Sequence, residues 1–159
     1  MSPQPTTNPA TDVVACPACG RRNRVPRAAA GTPRCGSCSA PLPWVVAADD
    51  ADFAEIAGAA RLPVLVDLWA DWCGPCRAVA PAVEQVAREL AGRVKVVKVD
   101  VDRAPGVANR YAARSIPTLL LLRDGREIGR QVGAVPAAQL RAWVGGVIDG
   151  RPGAPGGPR

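Results

Sequence analysis

The chemistry available to this chain is concentrated in sulfur. Its six cysteines form three Cys-x-x-Cys pairs, Cys16/Cys19, Cys35/Cys38 and Cys73/Cys76, and histidine is absent. Without histidine, Cys-His and Ser-His nucleophile systems and every histidine-bearing metal site are excluded. The first two pairs are spaced C-x2-C-x15-C-x2-C, within the zinc-ribbon range. Zn²⁺ favours four tetrahedral thiolates in a closed structural site, so Cys16, Cys19, Cys35 and Cys38 are the expected ligands of a single structural zinc. Gly20 and Gly36 permit the tight turns that aim both pairs at one ion. The segment has little beyond Val25 to build a core, so metal binding must stabilise it. The alternative is two unrelated reactive pairs or disulfides.

The third pair sits in another context. Trp72-Cys73-Gly74-Pro75-Cys76 follows an apolar run, Val64 to Ala70, and opens a stretch with helical periodicity. A strand feeding Cys-x-x-Cys at the start of a helix is the sequence form of a dithiol redox centre. Unpaired amides and the helix dipole favour a thiolate at Cys73, the nucleophile of disulfide exchange. No cysteine or histidine is left over to complete a second metal site. Asp67 interrupts the apolar strand, and a buried carboxylate without a partner should have a raised pKa.

The elements that must position these groups follow in order. Residues 1–14, rich in Pro, Thr and Asn, read as a disordered leader, 15–39 as the ribbon, 44–149 as the large domain and 150–159 as a flexible tail. Trp44-Val45-Val46 suggests an edge strand, and Asp49, Asp50 and Asp52 offer N-caps for a helix carrying Phe53, Ile56 and Ala60 inward. Strand 64–70 precedes a helix with Val79, Val83, Val86 and Leu90 on one stripe, Pro81 kinking it and Gly92 capping its C-terminus. Strand 94–100 and a short helix, about 104–111, come next. Leu119 to Leu122 pairs through an Asp124-Gly125 type I′ turn with Glu127–Val132. A last helix starts near Pro136 and buries Leu140, Trp143, Val144, Val147 and Ile148, with Gly145-Gly146 weakening its end. The order β-α-β-α-β-α-β-β-α specifies an α/β fold with a partly parallel sheet.

Charge and composition bound the partners. The net charge of +6 resides in the ribbon and tail, because residues 39–150 carry 13 basic and 13 acidic groups. A polyanion partner for the large domain is therefore not indicated. Five arginines decorate the ribbon, but no aromatic residue lies among them to stack on a base, so nucleic-acid binding is not expected. No apolar run is long enough for a membrane span, and the first residues do not form a secretory signal. A cytoplasmic monomer is the default expectation.

With these motifs in order, the sequence resembles the thioredoxin family over about 44–148. The resemblance is carried by Val64–Ala70 with Trp72-Cys73-Gly74-Pro75-Cys76, Val96-Val97-Lys98-Val99-Asp100, Ser115-Ile116-Pro117-Thr118 and Val132-Gly133-Ala134. The ribbon, with Asn23-Arg24-Val25-Pro26 between its pairs, looks like that of the zinc-binding bacterial subgroup called thioredoxin 2. Leu68 and Asp71 depart from the residues common in the family at those positions.

The resemblance implies a thioredoxin fold, a mixed sheet flanked by helices, and a protein-disulfide reductase. Cys73 would attack a substrate disulfide, and Cys76 would resolve the mixed disulfide. Asp67 would accept the proton of Cys76, with Lys98 tuning it. Trp72, Gly74, Pro75, Ile116, Gly133 and a cis Pro117 would form the substrate surface. The Gly-Pro between the cysteines marks a reductant, recharged by an NADPH-dependent thioredoxin reductase. A second reading keeps the ribbon as a redox sensor or binding module, with the dithiol as its switch.

Overall fold

The computed structural model describes residues 11–150. The first surprise lies at its start. Thr11–Ala15 forms strand β1 and pairs antiparallel with β2 (Arg22–Pro26), correcting the expectation that the chain is disordered as far as residue 14. The pairing is made by the chain turning back through the Cys16–Gly20 knuckle, which brings the two segments into register. Residues 1–10 and 151–159, which hold the rest of the expected leader and almost all of the expected tail, lie outside the described residues.

The main sheet has five strands in the order β3-β5-β4-β6-β7: β3 Val45–Ala48, β4 Val64–Trp69, β5 Lys95–Asp100, β6 Thr118–Arg123 and β7 Arg126–Val132. β3 and β4 flank β5 in parallel, whereas β6 and β7 run antiparallel. The hairpin uses Asp124 (φ 53°) and Gly125 (φ 77°), the two positive φ values that a type I′ turn requires. Central strands β4 and β6 are apolar runs, broken in β4 only by Asp67, because both of their faces are covered.

On one face lie α2 (Gly74–Glu89) and α4 (Ala137–Ile148), packed through Val79, Val83, Val86, Leu140, Trp143 and Val144. On the other lie α1 (Phe53–Gly58) and α3 (Pro105–Arg110). The ribbon joins that second core, since Cys16, Val25, Cys35, Leu42 and Trp44 are buried in the same cluster as Phe53, Ile56, Val97 and Tyr111. The ribbon thus buries apolar surface against the large domain as well as offering ligands to a metal.

Two helix ends differ from expectation. The C-cap of α2 is Leu90, and Gly92 follows with φ +84°, where a Cβ would come within 2.9 Å of Pro41 in the linker. Of the three aspartates before α1, Asp52 occupies the N-cap without a side-chain bond to the helix. Asp50 instead accepts hydrogen bonds from the amides of Gly106 (3.0 Å) and Val107 (2.8 Å), capping α3 from 56 residues away. α3 needs this help because Ala104, at its own N-cap, has no oxygen to offer.

Candidate active site and metal centre

β4 ends at Trp69, and the chain turns through Asp71 and Trp72 to place Cys73 at the N-cap of α2. The amide of Cys76 points at Cys73 Sγ, 3.2 Å away, and Pro75 in the first turn suits a position where no helical amide is needed. This is the arrangement that stabilises a sulfur anion. Cys73 and Cys76 are joined here as a disulfide, and both are buried with Ala70 against Trp69, Val101 and Ile116.

The Ile116-Pro117 peptide is cis, and the Ile116 carbonyl oxygen lies 3.7 Å from Cys73 Sγ. Gly133, at φ +91°, donates its amide to the Pro117 carbonyl at 2.8 Å, tying the end of β7 to this loop. Trp72 is 67% exposed, and its indole donates to Asp102 Oδ2 at 2.9 Å. A groove of about 290 Å³ runs between Trp72, Val101, Ala113, Arg114, Ser115 and Ile116. Gly74 and Pro75 are exposed beside it. Trp72 and Ile116 therefore line one concave surface, and Cys73 is packed beneath it against Ile116.

Asp67 lies in β4, directly across from Lys98 in β5, with Leu119 of β6 on its other side. It is 1% exposed, and its Oδ1 has no hydrogen-bond partner. Burial pushes its carboxyl up to about 6, and the Lys98 ammonium pulls the other way. Lys98 reaches over the Trp69 ring, 5.6 Å from its centre. The indole N–H of Trp69, two residues along the same face of β4, is also buried without a partner.

The four ribbon cysteines converge at the other centre. Their sulfurs all lie within 4.8 Å of one another, with Cys16–Cys38 at 3.6 Å and Cys19–Cys35 at 3.5 Å. A tetrahedral site with metal–sulfur bonds near 2.3 Å has sulfur–sulfur edges of about 3.8 Å, so the donor set fits one ion. Cys16 and Cys35 are buried, whereas Cys19 and Cys38 are exposed. The Cys35 thiol is pulled down to about 6, chiefly by the Cys38 amide and also by Asn23. Asn23 links the knuckles: its Nδ2 donates to the Arg21 carbonyl and Cys35 Sγ, and its Oδ1 accepts from the Gly36 amide.

Sequence reasoning missed the seam between ribbon and sheet. Lys95 is fully buried, and its ammonium donates to the carbonyls of Arg27 (2.6 Å) and Ile56 (2.8 Å) while sitting 4.1 Å above the Trp44 ring. The Trp44 indole donates to Pro26 O at 2.8 Å. Burial and the nearby Arg27 guanidinium push Lys95 down to about 8. The signal was a charged residue on the same strand face as Val97 and Val99, but only the docked ribbon shows that this face is covered.

Comparison with known proteins agrees with this geometry. The thioredoxin family model matches residues 44–145, beginning just after the ribbon. Thioredoxin 1 of Synechococcus elongatus is 50% identical over 94 residues, 59% of this chain and 88% of that protein. The thioredoxin of Haemophilus influenzae is 44% identical over 96 residues, 60% of this chain and 90% of that protein. The chain belongs to the thioredoxin family and is a dithiol–disulfide oxidoreductase.

Proposed function

We propose that the chain is a cytoplasmic protein-disulfide reductase of the zinc-binding thioredoxin 2 type, working as a monomer. The observation that carries this reading is the placement of Cys73 at the start of α2, with the Cys76 amide on its sulfur and the Ile116 carbonyl 3.7 Å away. In the reduced protein, the Cys73 thiolate attacks one sulfur of a substrate disulfide. A Cys73–substrate bond forms, and the other substrate sulfur leaves as a thiolate that takes a proton from water. Cys76 then loses its proton to Asp67 and attacks Cys73 Sγ, closing the Cys73–Cys76 disulfide and freeing the second substrate thiol. Two electrons pass from the dithiol to the substrate.

Asp67 suits this role because burial holds its carboxyl near 6, within reach of proton exchange at neutral pH. Lys98 limits that rise by its charge. Trp72, Gly74, Pro75, Ile116, Pro117 and Gly133 supply the docking surface, and the half-buried Ile116, beside Cys73, suits pairing with an extended substrate segment. The Gly-Pro dipeptide assigns the reducing direction, with an NADPH-dependent thioredoxin reductase as electron donor. In the ribbon, Cys16, Cys19, Cys35 and Cys38 would hold one Zn²⁺, a redox-inert ion that fixes the fold of its ligands. The sensor reading is not favoured, since the relatives are thioredoxins throughout their matched length.

Insulin reduction driven by dithiothreitol and followed by turbidity tests the reading. The wild-type chain should accelerate precipitation and Cys73→Ser should not. Equal rates for the two would defeat it.

A further inference from the structure

A cleft of about 500 Å³ opens where the ribbon meets the sheet, and it reaches Trp69 at the end of the strand bearing Asp67. Its wall carries Arg27, Lys98 and Arg103 against Asp49, Asp52, Asp71 and Asp100. Trp69, whose buried indole N–H is unpartnered, also lines it. Arg27 is the ribbon's contribution. It is held at both ends: its carbonyl accepts from Lys95, while its guanidinium donates to the Ala47 carbonyl and lies 3.5 Å from Asp52.

Lys98 has a choice of carboxylates. It faces Asp67 across β4 and β5, yet it shares the cleft with Asp49, Asp52, Asp71 and Asp100. A lysine ammonium on a four-carbon stem goes to whichever partner offers the stronger field. Asp52 is taken by Arg27, Asp49 by the amides of Ala51 and Asp52, and Asp100 by the Asp102 amide and Arg103. Lys98 accordingly rests over Trp69, on the face that Asp67 shares.

We propose that Arg27 is a positioning residue for the dithiol reaction: by engaging Asp52 it keeps Lys98 beside Asp67, and so couples the metal-bearing ribbon to the step in which Asp67 takes the proton of Cys76. This rests on the disulfide-reductase reading and assigns the ribbon a part in it. Removing Arg27 frees Asp52, and Lys98 is drawn toward it and away from Asp67. The loss of that cation from beside Asp67 disfavours its carboxylate. Lys98 is the cation facing Asp67 from β5, and the opposing β6 residue, Leu119, is apolar.

The test is a carbon-13 NMR titration of the Asp67 carboxyl in the reduced full-length chain, with metal content measured on each sample. Arg27→Met should raise the Asp67 midpoint by about half a pH unit, and Arg27→Lys should restore most of the difference. Lys98→Met should raise it further, and adding Arg27→Met to Lys98→Met should then move it by less than about a fifth of a unit. A midpoint unmoved by Arg27→Met, or equal shifts with and without Lys98, would overturn the proposal. Should Arg27→Met lose its metal, Arg27→Gln, which can still donate to the Ala47 carbonyl, carries the same expectation. The insulin assay separates the two failures: an inactive wild type sinks the reductase reading, whereas an active wild type with an unmoved titration sinks only the role of Arg27.

Discussion

The two sulfur centres use the same Cys-x-x-Cys spacing and differ in what surrounds it. In the ribbon, two pairs on turns face each other, and each sulfur's neighbours are the other three. At the head of α2, one pair stands alone, its first sulfur on a helix amide and beside the Ile116 carbonyl. The first set could close around one ion, whereas the second has only its own two sulfurs to bond within the chain. What separates a structural thiolate from a reacting one is whether the coordination sphere can close within the chain.

The sharpest way to break this contrast is to cut each centre separately. Cys73→Ser should lower insulin reduction roughly 1,000-fold or more, because a nucleophile has no substitute. Cys35→Ser, or a strong chelator on the wild type, should cost less than about tenfold, with the loss showing instead as a lower melting midpoint and red-shifted Trp44 fluorescence. Equal losses of activity from both would mean that the centres are not separate.

Asp67→Asn sharpens the catalytic half. The folded carboxyl titrates near 6, above the unfolded value of 3.8, so its favourable contribution is complete below about 3.8 and gone once pH passes about 6. The asparagine variant should therefore be more stable than wild type at pH 7, by roughly 1–3 kcal/mol in urea titration. Its Cys76 should also alkylate more slowly in the reduced protein. A variant less stable than wild type at pH 7 would show that the carboxylate is well paired.

Lys95 sharpens the ribbon half by a smaller margin. Its folded value of about 8 lies below the unfolded 10.5, so between these pH values the unfolded chain holds more protons and stability climbs as pH rises. The two carbonyls and the Trp44 ring favour the charged form, which limits the climb to about 1–2 kcal/mol. Lys95→Met should flatten it. A pH dependence unchanged in that variant would place the titration elsewhere.

Much of the candidate site around Cys73 was legible because its signals are local. The cysteines, the turn and the helix periodicity all lie within 25 residues, and the β-α order fixed a mixed sheet. The misses are contacts between distant segments. Asp50 reads as a cap for the helix three residues on, yet its carboxylate serves α3. Nothing in the sequence marks Lys95 as buried, because periodicity assigns faces without saying what covers them. β1 escaped notice because a strand whose partner lies beyond a metal knuckle has little apolar pattern of its own.

The bond from Arg27 to the Ala47 carbonyl falls on β3, which closes one side of the sheet and, among the described residues, pairs only with β5. Such a border is a row of unsatisfied peptide groups, a template onto which a stranger's chain can zip. On the far border, β7 guards itself with Arg126, Glu127 and Arg130. β3, reading Val-Val-Ala-Ala, carries no charge with which to do the same. The ribbon laid against it thus also acts as a bumper against edge-to-edge aggregation.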